Sequence, residues 1–299
     1  MTPTLDLSPV ALPLALVALA ACAGSRPPPQ APAERILTVE GGSGRLRVSD
    51  GGTGEPAVVF LHGLGSDLEA WRAQLDHLRP GRRAVAYDQR GHGGSDPARD
   101  GVYTIQALAA DLGAVIQALG IHRLVLVGHS LSGTVVTEWA GAHPEAVAGL
   151  VYADAVGDFH AVPREAIEEQ VRKDEAFGPD PAARQRAFSE MLGAAARPGT
   201  RERILASVAR MDGAAFAPLR RDMFEFRVGD RLAGYRGPVL AVEAQGAEHP
   251  IMASRVVPGA SRTTIAGVSH WLMMDDPEAF DRALEPLLAG AAARPRGSP

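Results

Sequence analysis

Short, unbroken apolar runs alternate with amphipathic stretches along most of this chain. Ala57 to Leu61, Ala84 to Tyr87, Leu124 to Val127 and Ala148 to Ala153 carry apolar side chains at consecutive positions. That is the pattern of strands buried on both faces, not of strands with one wet side. Between them, Thr104 to Leu119 spaces its apolar residues as an amphipathic helix does. Thr134 to Ala142 reads as a second helix, closed by His143-Pro144. Upstream, Ile36 to Glu40 and Arg45 to Ser49 flank Gly41-Gly-Ser-Gly44 as a hairpin, and Asp50-Gly-Gly-Thr-Gly54 is a second turn. Buried strands separated by helices imply an α/β fold, a mostly parallel central sheet covered by helices on both faces.

The alternation stops after the strand ending at Ala153. Residues 158–232 contain several charge-rich helical segments and no strand pattern. Strands resume at Pro238 to Val242 and Thr263 to Ile265, followed by a helix over Pro277 to Leu288. The expected organisation is a core in two parts, 35–157 and 233–290, with a helical cap at 158–232 and a disordered tail at 291–299. Such a cap would cover the carboxyl ends of the strands, where open α/β sheets bind ligands. Its Phe159, Phe177, Phe216, Phe224 and Phe226 are candidates for an apolar pocket, although aromatics at helical spacing also serve as plain core.

Composition narrows the partners. The chain has 299 residues, enough for one large core with an insertion, and a formal net charge of -5. There is no basic footprint for nucleic acid. The single cysteine, Cys22, rules out an internal disulfide. It follows Leu19-Ala-Ala at the end of the apolar stretch Val10 to Ala21, which is shorter than the about 20 residues a membrane span needs. Leu-Ala-Ala-Cys resembles a bacterial lipobox. Residues 1–21 then read as a lipoprotein-type signal peptide, and Cys22 as the lipidated residue of an exported cell-envelope protein on the periplasmic side. Membrane contact would come through that anchor only. The departure is a segment before the apolar stretch that carries Asp6 and no Lys or Arg. The alternative is a disordered Ala/Leu-rich leader on a cytoplasmic protein. Residues 22–34, with Arg26-Pro-Pro-Pro-Gln-Ala-Pro32, suit a stiff tether.

The run Leu124-Val-Leu-Val-Gly-His-Ser-Leu-Ser-Gly133 carries the chemistry. A buried strand meets a small residue, then Ser130, then small residues opening a helix, the pattern of a nucleophile elbow. The tight turn demands small side chains two positions on either side. Gly128 satisfies this, while Ser132 stands where G-x-S-x-G has its second glycine. The bland alternative is a strand-to-helix turn in which Ser130 only caps the helix.

Together with two other motifs, this run resembles the serine branch of the α/β-hydrolase family over residues 35–290. His62-Gly63-Leu64-Gly65 directly follows a strand, and Gly267-Val268-Ser269-His270-Trp271 follows the last one. The resemblance implies Ser130 as nucleophile, His270 as base, and an oxyanion hole from the backbone N–H groups of Leu64 and Leu131. It gives His62 a structural hydrogen-bonding role. Tyr87-Asp88-Gln89-Arg90-Gly-His-Gly-Gly-Ser95 resembles a further family turn, in which Asp88 and Arg90 brace a loop. His129 is the elbow's variable residue. The acid departs from the usual place: Glu243-Ala-Gln-Gly-Ala-Glu-His249 after the penultimate strand has no Asp. Asp154, at the end of the strand that follows the nucleophile helix, is the favoured acid. Glu248 is the main alternative, with Glu243 and Asp158 behind it. No phosphate loop and no metal-ligand spacing is present in the sequence, so neither a cofactor nor a metal is expected.

The implied function is a cofactor-independent serine hydrolase acting on small-molecule esters or related acyl compounds. A C–C bond hydrolase, a lactonase and a perhydrolase would use the same triad. A non-catalytic binding lipoprotein on this fold is the rival from another class. Nothing in the pattern addresses oligomeric state.

Overall fold

The computed structural model describes residues 34–247 and 249–294. Among them, eight strands form one sheet: β1 (Arg35–Glu40), β2 (Arg45–Gly51), β3 (Ala57–Leu61), β4 (Ala84–Tyr87), β5 (Leu124–His129), β6 (Val147–Ala153), β7 (Val239–Ala244) and β8 (Ser261–Ile265). Their order is β1-β2-β4-β3-β5-β6-β7-β8. The β1–β2 and β2–β4 pairs are antiparallel and every later pair is parallel. All residues of β3, β4, β5, β6 and β7 are buried, as their continuous apolar runs require.

The core helices are α1 (Arg72–Leu78), α2 (Ile105–Ala118) and α3 (Ser132–Ala142). The cap comprises α4 (Arg164–Phe177), α5 (Pro181–Leu192), α6 (Pro198–Arg210), α7 (Gly213–Glu225) and the single turn α8 (Val228–Arg231). Short α9 (Ala253–Val256), short α10 (Leu272–Asp275) and α11 (Pro277–Ala293) follow. α2 packs on α3, which lies on β5 and β6, while α11 packs on α1 and crosses β6, β7 and β8. The sheet is thus flanked by helices, as in the α/β-hydrolase architecture.

Several boundaries differ from expectation, most by one or two residues, and three of the differences bear on the site or the tail. β5 continues to His129 because β6 offers Ala153 as its pairing partner. α3 opens at Ser132, directly after the elbow. α11 runs to Ala293, into the stretch expected to be a tail, because Ala-Gly-Ala-Ala-Ala continues the helix and buries Ala291. The signal peptide, Cys22, almost all of the tether, and Glu248 lie outside the described residues.

Five of the six cap phenylalanines, Phe159, Phe188, Phe216, Phe224 and Phe226, are buried in the hydrophobic core and Phe177 packs against it. Phe159 and Phe224 also border a groove of roughly 820 Å³ between α4 and α7. No helix among the described residues is long and apolar enough to cross a membrane.

Candidate active site

Ser130 and Asp154 are the two non-glycine residues with positive φ among the described residues, at 53° and 42°. Side chains enter that region only when the surrounding structure compels them. Ser130 is compelled by the elbow. A Cβ at Gly128 would lie 2.5 Å from the Ser132 carbonyl oxygen, and one at Gly133 would lie 2.7 Å from Ala155 Cβ. The serine amide is held by the Ala153 carbonyl at 3.1 Å.

Ser132 is more than a tolerated small residue. Its hydroxyl donates to the His62 carbonyl at 2.5 Å and accepts from Gln89 Nε2 at 3.1 Å. Gln89 Nε2 reaches the same carbonyl at 2.6 Å. The elbow is therefore tied to the turn after β3, which a glycine could not do. That turn lies against the nucleophile: a Cβ at Gly63 would be 3.0 Å from Ser130 Cβ. The N–H groups of Leu64 and Leu131 donate to no acceptor among the described residues. Unengaged amides of this kind are what an oxyanion hole requires.

His62 is structural, as expected. It is fully buried, its Nε2 accepts from the Gln89 amide at 3.0 Å, and its Nδ1 pairs with the Gly63 carbonyl at 2.8 Å. Burial pushes its imidazole below the ordinary range, which keeps it neutral. Asp88 and Arg90 brace the next loop, but not with each other. Asp88 accepts from the Leu68 and Gly94 amides at 2.7 and 2.8 Å. Arg90 forms a forked ion pair with Asp111 of α2, at 2.6 and 2.8 Å.

His270 sits after β8 in the loop opened by Gly267, φ 69°. Its Nδ1 lies 2.7 Å from Asp154 Oδ2. A carboxylate only accepts, so Nδ1 carries the proton and Nε2 presents a lone pair. Asp154 is itself fixed. Its amide donates to the Val242 carbonyl at 2.7 Å and its Oδ1 accepts from the Ala244 amide at 3.0 Å. Two of the other candidates, Glu243 and Asp158, are engaged elsewhere. Buried Glu243 pairs with Arg262 at 2.6 Å, and Asp158 binds His160 at 2.7 Å.

The elbow also touches the His270 loop. His129, next to the serine, places Nε2 2.9 Å from the His270 carbonyl, and the two rings lie 4.6 Å apart. Asp275 joins that loop to the cap. Its Oδ2 accepts from the Ser269 amide and hydroxyl at 2.8 and 2.5 Å, and its Oδ1 from the Arg197 amide, just before α6, at 2.8 Å. Neither His129, Ser132 nor Asp275 had a sequence signal beyond its position, because each acts on a residue brought near only by folding.

A family model described as alpha/beta hydrolase fold matches residues 56–208. The chain belongs to the α/β-hydrolase family. Among curated relatives, it is 28% identical to the sn-1-specific diacylglycerol lipase ABHD11 of Mus musculus over 265 residues, covering 80% of this chain and 83% of that one. It is 38% identical to epoxide hydrolase 3 of Xenopus tropicalis over 136 residues, which span only 37% of that protein. Among solved structures, a thermophilic esterase from Thermogutta terrifontis superposes with a TM-score of 0.76 at 24% identity, covering 87% of this chain and all of that one. An esterase from Exiguobacterium antarcticum gives 0.72 at 20%, covering 85% and 100%. These two structures share the fold with this α/β-hydrolase.

Proposed function

We propose that this protein is a cofactor-independent serine hydrolase that cleaves carboxylic esters or related acyl compounds. The observation that carries this reading is the 2.7 Å contact from His270 Nδ1 to Asp154 Oδ2, beside an elbow whose serine is held at positive φ. Ser130 Oγ attacks the substrate carbonyl while His270 Nε2 takes the hydroxyl proton, and Asp154 stabilises the resulting imidazolium. The amides of Leu64 and Leu131 hold the oxyanion. Collapse of the tetrahedral adduct expels the alcohol, which takes the proton from Nε2. Water, activated by the same nitrogen, then releases the acid and regenerates the serine. A serine at the elbow separates this chain from the epoxide hydrolase branch, in which the family resemblance implies an aspartate nucleophile. Turnover of p-nitrophenyl acetate by Asp154→Asn and Glu248→Gln tests the assignment. Collapse in the first and near-normal turnover in the second are expected, and the reverse pattern would move the acid to Glu248.

We also propose that the protein is exported and lipid-anchored at Cys22, on the strength of Leu19-Ala-Ala-Cys22. Cys22→Ser should shift it from the membrane fraction to the soluble one. An unchanged membrane fraction would remove the anchor from the picture.

A further inference from the structure

His129 is a fully buried imidazole whose placement packing alone does not explain. Its Nε2 faces the His270 carbonyl at 2.9 Å, and a carbonyl only accepts, so the ring proton sits on Nε2. Nδ1 is then a bare lone pair, buried without a hydrogen-bond partner among the described residues. It points at the oxyanion turn: a Cβ at Gly63 would come within 2.7 Å of Nδ1 and 3.2 Å of Cε1. On its other side the ring lies against the His270 ring, centroids 4.6 Å apart at 42°. Trp71 and Trp271 close the remaining sides at 6.4 and 6.0 Å. An apolar side chain of similar volume would fill this space without burying an unsatisfied nitrogen.

We propose that His129 is a positioning residue, a strut that sets the distance between the oxyanion turn and the loop carrying His270. The proposal rests on the triad reading above. One contact grips the backbone of the base, the second supports its ring, and the third limits how closely Gly63 approaches. Because His129 is covalently next to Ser130, a single side chain locks nucleophile, base and oxyanion turn into one register. The ring also has to stay uncharged. Burial first, then the facing His270 and His62, push it well below the ordinary imidazole range. The other groups packed on it, Trp71, Trp271 and Gly63, carry no charge. When His270 takes the serine proton, its neighbour therefore adds no repulsion.

The test compares His129→Leu and His129→Gln with wild type on p-nitrophenyl acetate. Leu keeps the volume and removes the donor, so kcat should fall about 10- to 100-fold with KM within about twofold, as expected for a misplaced catalytic group. Its melting temperature should not fall, since an unsatisfied nitrogen is gone. Gln, which retains an N–H able to reach the carbonyl, should recover most of the loss. Leu as fast as wild type, a loss confined to KM, or Gln no better than Leu would overturn the strut. A second measurement needs no variant. In 15N NMR of the wild-type protein, His129 should remain a neutral Nε2–H tautomer from pH 8 down to pH 5, and an Nδ1–H tautomer or a protonated ring would also overturn it. A wild-type protein inert toward both ester and fluorophosphonate would instead remove the triad reading, and this proposal with it.

Discussion

The sheet and the cap share one apolar core but differ in how much of each is buried. Every residue of β3, β5, β6 and β7 is buried, and the groups with chemistry sit at or just beyond the ends of strands. Ser130 and Asp154 immediately follow β5 and β6, where backbone geometry leaves them little freedom. In α4, by contrast, only Asp174 of fourteen residues is buried. The cap shares the apolar core, sending Phe188, Ile204, Val208, Phe216 and Phe226 into it, and adds polar joints such as Asp275 with the Arg197 amide, Tyr103 with Asp212, and Asp222 with the Ile105 amide. Part of that apolar contact lies at the turn after β3, where Phe188 and Val208 lie within 3 Å of a Cβ at Gly65. Strand ends hold the residues of the proposed triad, and the cap joins the same apolar core while leaving most of α4 in solvent. Cap side chains that touch neither Ser130 nor Asp154 are therefore where a change in substrate range is expected to leave the proposed triad intact.

That contrast can be broken most severely from the core side. Asp154→Asn leaves His270 in the wrong tautomer and should cost about 10⁴-fold in kcat. Retention of more than a tenth of wild-type turnover would dissolve the distinction, because the strand end would not be setting the base. From the cap side, Phe188→Ala should cost about 3–5 kcal/mol of stability, measured by urea unfolding. By opening space above Gly65 it should move the kcat/KM optimum toward longer acyl chains, while a small phosphonate probe still reacts at the wild-type rate. If probe reactivity collapses instead, cap and core are one unit.

Acid offers a smaller effect specific to the core. Burial holds His92 at about 4, below the ordinary 6.5, and also pushes His62 and His129 down. The unfolded chain binds protons on these rings that the folded one refuses, so stability is full above about pH 6.5 and falls as pH drops toward 4. At pH 5.5 the shift of His92 alone should cost about 1.4 kcal/mol, with His62 and His129 adding in the same direction. Urea midpoints across pH 7.5 to 5 measure this, and a flat profile would mean the rings are solvated. The smallest effect belongs to the exposed face of α4. Lys173→Ala removes an exposed pair with Glu169 and should leave the melting temperature within about 1 °C.

Legibility in the amino-acid order follows the same division. β3 and β4 were read to the residue, since a doubly buried strand is a continuous apolar run. The elbow and the His270 loop were legible as local motifs at strand ends, whereas Asp154 carried no motif and stood only as the favoured acid beside Glu248, Glu243 and Asp158. The lateral contacts were not. Arg90 finds Asp111 across 21 residues, and Ser132 finds His62 across 70. His129 meets the His270 carbonyl across 141 residues. Nothing near any of these residues announces its partner, because the pairing is created by the strand order 4-3-5-6-7-8 and not by spacing.

The most direct test is covalent capture of the nucleophile. The full-length protein should react with a fluorophosphonate to give one adduct, located by peptide mass spectrometry on Ser130, absent in Ser130→Ala and much slower in Asp154→Asn. An adduct on any other residue, or no adduct in a folded protein, would contradict the serine hydrolase.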